Sequence, residues 1–185
     1  MTPEVFQVCE DITKEMERHS IGLHTHSYYH PEFLGWNNDG DSFRNYSASD
    51  KEQMIKRDIA SFKERFGKVG LFRIARLEPD PTIMRFVDDA DCVIDSSYHE
   101  ANYGAIEKIK TRLQYRFREI PVTFHLYGLT PKHFVGRDRS VVLMHPSVPA
   151  GKVDEQVYDD GKLWSIMEAC KSEYDFVGLD DLVHF

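Results

Sequence analysis

Apolar and polar positions follow two rhythms along this chain. Residues 3–18 place Val5, Val8, Cys9, Ile12 and Met16 at helical spacing, with Thr2 as the candidate N-cap and Pro3 at the first helical position. "SIGLHTH" then predicts a short buried strand. "PEFLGWNNDGDSFRNYS" is rich in Gly, Asn, Asp and Ser and predicts a loop. Ser49 is expected to open a second helix, "SDKEQMIKRDIASFKERF", with Glu52 completing a capping box. "VGLFRIA" predicts a strand, "DPTIMRFVDD" a short helix begun by Asp80 and Pro81, and "CVIDSS" a strand that ends in polar residues.

The rhythm changes from Ile109. Ile109, Thr111, Leu113, Tyr115 and Phe117 alternate with Lys110, Arg112, Gln114, Arg116 and Arg118, which is the period of a strand. "SVVLMHP" predicts another buried strand and "DDGKLWSIMEACKSE" a helix. "YDFVGLDDLV" is expected to close the chain with a strand and a turn. Phe62, Phe66, Met84 and Phe86 lie in helical segments and are assigned to the core. Helices alternating with short apolar strands predict an α/β fold with a largely parallel sheet, barrel-like in form.

Composition narrows the class. The 185 residues are 41% hydrophobic and 12% aromatic, enough for one globular domain with a real core. The formal charge of −8 argues against nucleic acid or an anionic membrane surface as a partner. The sequence has no apolar run of membrane-spanning length and no signal-peptide pattern at its start, so a cytoplasmic setting is expected. Cys9, Cys92 and Cys170 lie far apart without CxxC spacing and read as buried reduced thiols. The cationic positions from Lys108 to Arg118 read as a solvated strand face, with binding of an acidic polymer as the lesser alternative.

Parallel α/β folds gather ligands at the C-terminal ends of their strands. Those ends here carry His24 and His26, Arg73 and Arg76, Asp95, and His145. "IGLHTHSYYHPEF" packs His24, His26 and His30 into seven positions. Imidazole is the commonest ligand for zinc and related metals. His26 and His30, four apart, share a side if the chain turns helically after the strand. His24 and His26, two apart, share a strand face. His145, just before Pro146, stands where a general acid would. Asp95 is placed either to orient that histidine or, with Ser96 and Ser97, to cap the following turn. Trp36, Tyr28 and Tyr29 flank the histidines and suit stacking on a sugar ring or closure of a barrel mouth.

On these residues the chain resembles the polysaccharide deacetylases. "HSYYH" matches that family's H-(S/T)-x-x-H metal motif at His26 and His30. "FRIA" resembles its arginine motif at Arg73, "VIDSS" its aspartate motif at Asp95, and "LMH" its L-x-H motif at His145. "REIPVTF" and "YDFVGLDDLV" are similar to its later segments. The resemblance implies a distorted (β/α) barrel and a divalent metal, with zinc first among the choices. It implies removal of an acetyl group from an N- or O-acetylated sugar, with His145, Asp95 and Arg73 in the catalytic machinery.

The sequence also departs from that pattern. The family's first strand ends in two aspartates, a metal ligand and a catalytic base. This chain opens on the helix that would follow, so the expected barrel is incomplete. Its open edge would be covered by a second copy or a partner chain. The third metal ligand is then sought in Asp39 or Asp41 of "WNNDGDSF", in His24, or in a strand encoded upstream of the given start. The family's proline two residues after the arginine is Ala75 here. Two alternatives accompany this reading. One is a non-catalytic glycan-binding relative or subunit. The other is a histidinol-phosphatase-type metal phosphoesterase, suggested by "LHTHS" but lacking its further ligand motifs in order.

Overall fold

The computed structural model describes residues 20–27, 30, 42–102, 115–125, 130–143, 160–175 and 177. The helix expected over 3–18 lies outside them.

Strand β1 (Gly22–Thr25) buries Leu23 and Thr25, while Gly22 and His24 stay half-buried. Strand β2 (Leu71–Ile74) repeats the pattern, with Phe72 and Ile74 buried. Leu23, Phe72 and Ile74 join one core with Met54, Ile55, Phe62, Ile83, Met84 and Val87 of the helices. Side chains alternate across a strand, so His24 and Arg73, register partners on β1 and β2, occupy the face away from those helices.

Helix α1 (Ala48–Phe66) connects the two strands and packs on β1. It begins at Ser47, not Ser49. The Ser47 hydroxyl accepts the Asp50 backbone N–H at 3.1 Å and pairs with the Asp50 carboxylate at 2.8 Å. Both serines precede an acid by three residues, and capping at Ser47 adds two residues of helix. Gly67 ends α1 at φ 79°, a conformation glycine adopts without steric cost, and its N–H bonds to the Lys63 carbonyl at 2.8 Å.

Helix α2 (Pro81–Asp89) starts as expected. The Asp80 side chain accepts the Thr82 and Ile83 N–H groups, Pro81 takes the first position, and Lys51 of α1 reaches Asp80 at 2.6 Å. Ile83, Met84 and Val87 bury one face, and α2 packs against α1.

Strands β3 (Ile94–Asp95) and β4 (Arg118–Glu119) complete a four-stranded sheet of order β1-β2-β3-β4, parallel throughout. Strand order follows chain order. A second parallel pair, β5 (Phe124–His125) and β6 (Val142–Leu143), forms a separate two-stranded sheet. Beside this pair, Ile166 and Cys170 of helix α3 (Asp160–Cys170) pack with Phe124, Phe134, Val142 and Tyr174.

The period-two reading of 109–118 needs correction where it can be followed. Residues 115–117 form no sheet ladder, and the strand begins only at Arg118. Tyr115 and Phe117 stack at 5.0 Å, and the chain bends at Phe117 before β4 begins. Arg116 turns back onto α2, contacting Asp88 and Asp91, so this member of the cationic face is engaged within the chain. Tyr174, Asp175 and Val177 are irregular where a closing strand was expected, and the rest of that segment lies outside the described residues. Cys92 and Cys170 are buried free thiols, as read. Among the described residues no helix is long and apolar enough to cross a membrane.

Candidate functional site

The C-terminal edge of the four-stranded sheet carries two polar clusters beneath its loops. The first spans β2, β3 and β4. The Arg73 guanidinium donates from Nε to the Ser96 carbonyl at 3.0 Å and from Nη2 to the Ser96 hydroxyl at 2.9 Å. Two bonds to one residue fix the plane of the guanidinium. Ser97 donates its hydroxyl to Asp95 and accepts the Ile74 N–H at 2.9 Å, locking the ends of β2 and β3 together. Asp95 is fully buried, and its register partner Glu119 is 6% exposed.

This cluster puts two buried carboxylates and one guanidinium in a water-poor setting. Burial lowers the Arg73 pKa from its ordinary value, and the charges of Asp95 and Glu119 act against that shift. Burial, helped by Asp95, pushes the Cys92 thiol up to about 12, which removes it as a nucleophile near neutral pH. The Tyr98 phenol is also raised, by burial and then by Asp95 and Glu119.

The second cluster lies at the end of β1. His24 Nδ1 sits 2.9 Å from the Arg73 carbonyl. A carbonyl only accepts, so Nδ1 carries the proton and Nε2 keeps its lone pair. Burial first, then the neighbouring His26, lowers the His24 pKa to about 3. The ring is therefore neutral with a fixed tautomer, the state a metal ligand needs. His24 and His26 meet edge to face at 4.3 Å between ring centroids, so their shared strand face brings them together as expected.

His30 follows on a tight turn in which its N–H bonds to the Ser27 carbonyl. Its Nε2 lies 3.2 Å from Asp58 Oδ1, and the Thr25 hydroxyl donates to Asp58 Oδ2. His30, Asp58 and Thr25 are all buried.

Sequence reasoning missed Asp58 and Glu119. A signal existed for each. Asp58 falls in phase with Ile55 and Phe62 on the buried stripe of α1, where an apolar residue is the rule. Glu119 closes a strand just as Asp95 does. Trp36, Tyr28, Tyr29, Asp39, Asp41 and His145 lie outside the described residues, as does any pairing of His145 with Asp95. Arg76 stands beyond the end of β2 at φ 58°, followed by Leu77 at φ 52°, two side-chain-bearing residues in left-handed backbone.

Among the described residues no three His, Cys, Asp or Glu side chains are grouped so as to hold a metal ion. The donors present still suit one in kind. His24 and His26 touch, and one has its tautomer fixed; a carboxylate stands behind His30. No family model, curated protein or solved structure matches the chain.

Proposed function

We propose that this chain is a metal-dependent deacetylase-like hydrolase acting on an N- or O-acetylated sugar, built on a (β/α) barrel-like fold. The observation that carries the reading is the placement of His24, Arg73 and Asp95 at the C-terminal edge of one parallel sheet laid down in chain order. Doubly wound sheets reverse their order about a switch point, whereas barrels run in sequence.

In this reading His26 and His30 hold a zinc-type ion, with His24, Asp39 or Asp41 as third ligand. The chemistry such an ion supplies is polarisation of an acyl carbonyl and acidification of water. The chain's own residues do the rest. Arg73, held flat by Ser96, supplies a fixed positive charge beside Asp95 and Glu119. His145, on the segment after β6, gives its proton to the departing amine or alcohol. Trp36, Tyr28 and Tyr29 offer faces for the sugar. A cytoplasmic soluble saccharide is the substrate class favoured.

Acetate release from N-acetylglucosamine oligomers and from O-acetylated sugars, with zinc or cobalt supplied, tests this. Turnover should appear with the wild type and fall by about 10²–10⁴-fold in His145→Ala, the usual contribution of a general acid. Glycan affinity that survives His145→Ala with no acetate released by either protein would contradict it in favour of a binding module.

A further inference from the structure

Arg76 and Leu77 hold a backbone conformation that their side chains oppose. They lie at φ 58° and φ 52°, just past the C-terminal end of β2. Left-handed backbone crowds any residue that has a Cβ, and it persists where the surroundings hold it in place. The hold here centres on Glu78. Its N–H bonds back to the Ala75 carbonyl at 3.3 Å, and its Oε2 accepts the Ser42 hydroxyl at 2.9 Å.

The same carboxylate gathers two cations. Arg44 Nε stands 3.3 Å from Oε2, and Arg76 Nε stands 3.7 Å from Oε1. Arg44 belongs to the 3-10 turn Phe43–Asn45, which Phe43 anchors in the core and the Ser42 hydroxyl caps by accepting the Arg44 N–H at 3.2 Å. The strained turn after β2 brings Arg76 to the same place. Two guanidinium groups thus share one carboxylate, one at each oxygen, and leave a positive charge in surplus. Both approach Glu78 through Nε, and their Nη groups meet no acceptor among the described residues. The side chains are 74% and 47% exposed, open to a ligand. Arg73 and Arg116 differ, because Ser96 engages the first and Asp88 with Asp91 the second.

We infer that Arg44 and Arg76 form a recognition site for an oxyanion, a carboxylate or phosphate group carried by the saccharide that reaches this edge of the sheet. A guanidinium presents its N–H groups in a planar fork that matches such anions two bonds at a time. Two guanidiniums held together repel, and a second anion completes the neutralisation that Glu78 begins. The loop that carries Arg76 follows a strand of a parallel sheet, where such folds bind their ligands. That the ligand is a saccharide rests on the hydrolase reading proposed above. The preference for an anion rests on the two arginines alone. The strained backbone then has a use, since it brings the Arg76 guanidinium onto Glu78 beside Arg44.

Backbone amide shifts of the metal-free chain, followed during titration with glucuronate, inorganic phosphate and glucose at constant ionic strength, test this. Saturable shifts centred on residues 44 and 76–78 are expected with the anions and none with glucose. A response to one anion alone upholds the site and names the group it takes. Arg76→Gln should weaken anion binding by about 10-fold, the low end for a charge-assisted hydrogen bond, because both arginines face solvent. Arg76→Gly should weaken it as much while raising the urea midpoint, since glycine adopts left-handed backbone without steric cost. No saturable shift with either anion, equal shifts with glucose, or unchanged affinity in Arg76→Gln overturns the inference. Anion binding by a chain that releases no acetate from any acetylated sugar upholds this site and defeats the hydrolase reading instead. Acetate release by a chain that binds neither anion does the reverse.

Discussion

Gly22 sits close against the neighbouring strand, and replacing it by alanine gives a prediction that can be worked through. Gly22 pairs in register with Leu71. A Cβ built at position 22 would lie 2.8 Å from the Leu71 Cβ and 3.2 Å from the Leu71 carbonyl oxygen. Carbon atoms rest at about 3.5–4.0 Å, so β1 and β2 must part by roughly 1 Å or twist locally. Overpacking of this kind costs about 1–3 kcal/mol. Alanine restricts the unfolded chain and returns about 0.4–1 kcal/mol. The net expectation is destabilisation of about 1–2 kcal/mol, read as a lower urea midpoint with unchanged slope. The same substitution in a Leu71→Gly background loses the Cβ clash but keeps the backbone oxygen of residue 71 at 3.2 Å, so its cost should fall without vanishing. That difference isolates the contact as a coupling energy of about 1 kcal/mol. Equal effects in the two backgrounds, or a stabilised Gly22→Ala, would refute the register of β1 on β2. The register matters because the same pairing sets His24 against Arg73 two residues on.

Two further outcomes are expected. Gly67→Ala should lower stability by about 1 kcal/mol in thermal melts, because φ is 79° there while no atom lies within 4 Å of the new Cβ; the cost is conformational alone. Acid should destabilise the metal-free chain through His24, whose folded pKa of about 3 lies below the unfolded value of 6.5. Between those values the unfolded state binds the extra proton, so stability is full above pH 6.5 and declines as pH falls towards 3, by about 1.4 kcal/mol per unit from this one group. Unfolding free energies from urea titrations at pH 7 and pH 5 should differ by about 2 kcal/mol in the wild type and by clearly less in His24→Gln.

Much of the fold was legible in the sequence, for reasons particular residues make plain. Strands β1, β2 and β3 are short apolar runs broken by loops. Asp80 and Pro81 mark the start of α2 through a cap and a fixed φ. The start of α1 was misplaced because Ser47 and Ser49 offer equivalent caps, and only the competition between them decides. Period two says nothing of a hydrogen-bonding neighbour, which residues 115–117 lack in the sheet, and the chain bends at Phe117. His24, His26, Arg73 and Asp95 could be placed at the strand ends because each closes an apolar run. Asp58 escaped because it lies on a helix, where the apolar stripe invited a core reading. Its neighbours Thr25 and His30 are distant in sequence. Ser96 and Ser97 were read as turn caps. They hold Arg73 and join β2 to β3, a role set by a neighbouring strand that no local pattern displays.

The most direct test of the central claim, that the histidines after β1 form a metal site, is the metal content of the purified protein by elemental analysis. The wild type should be measured beside a His26→Ala/His30→Ala double variant. The account predicts about one metal ion per chain, lost in the double variant. A wild-type chain that retains none after incubation with zinc or cobalt would contradict it.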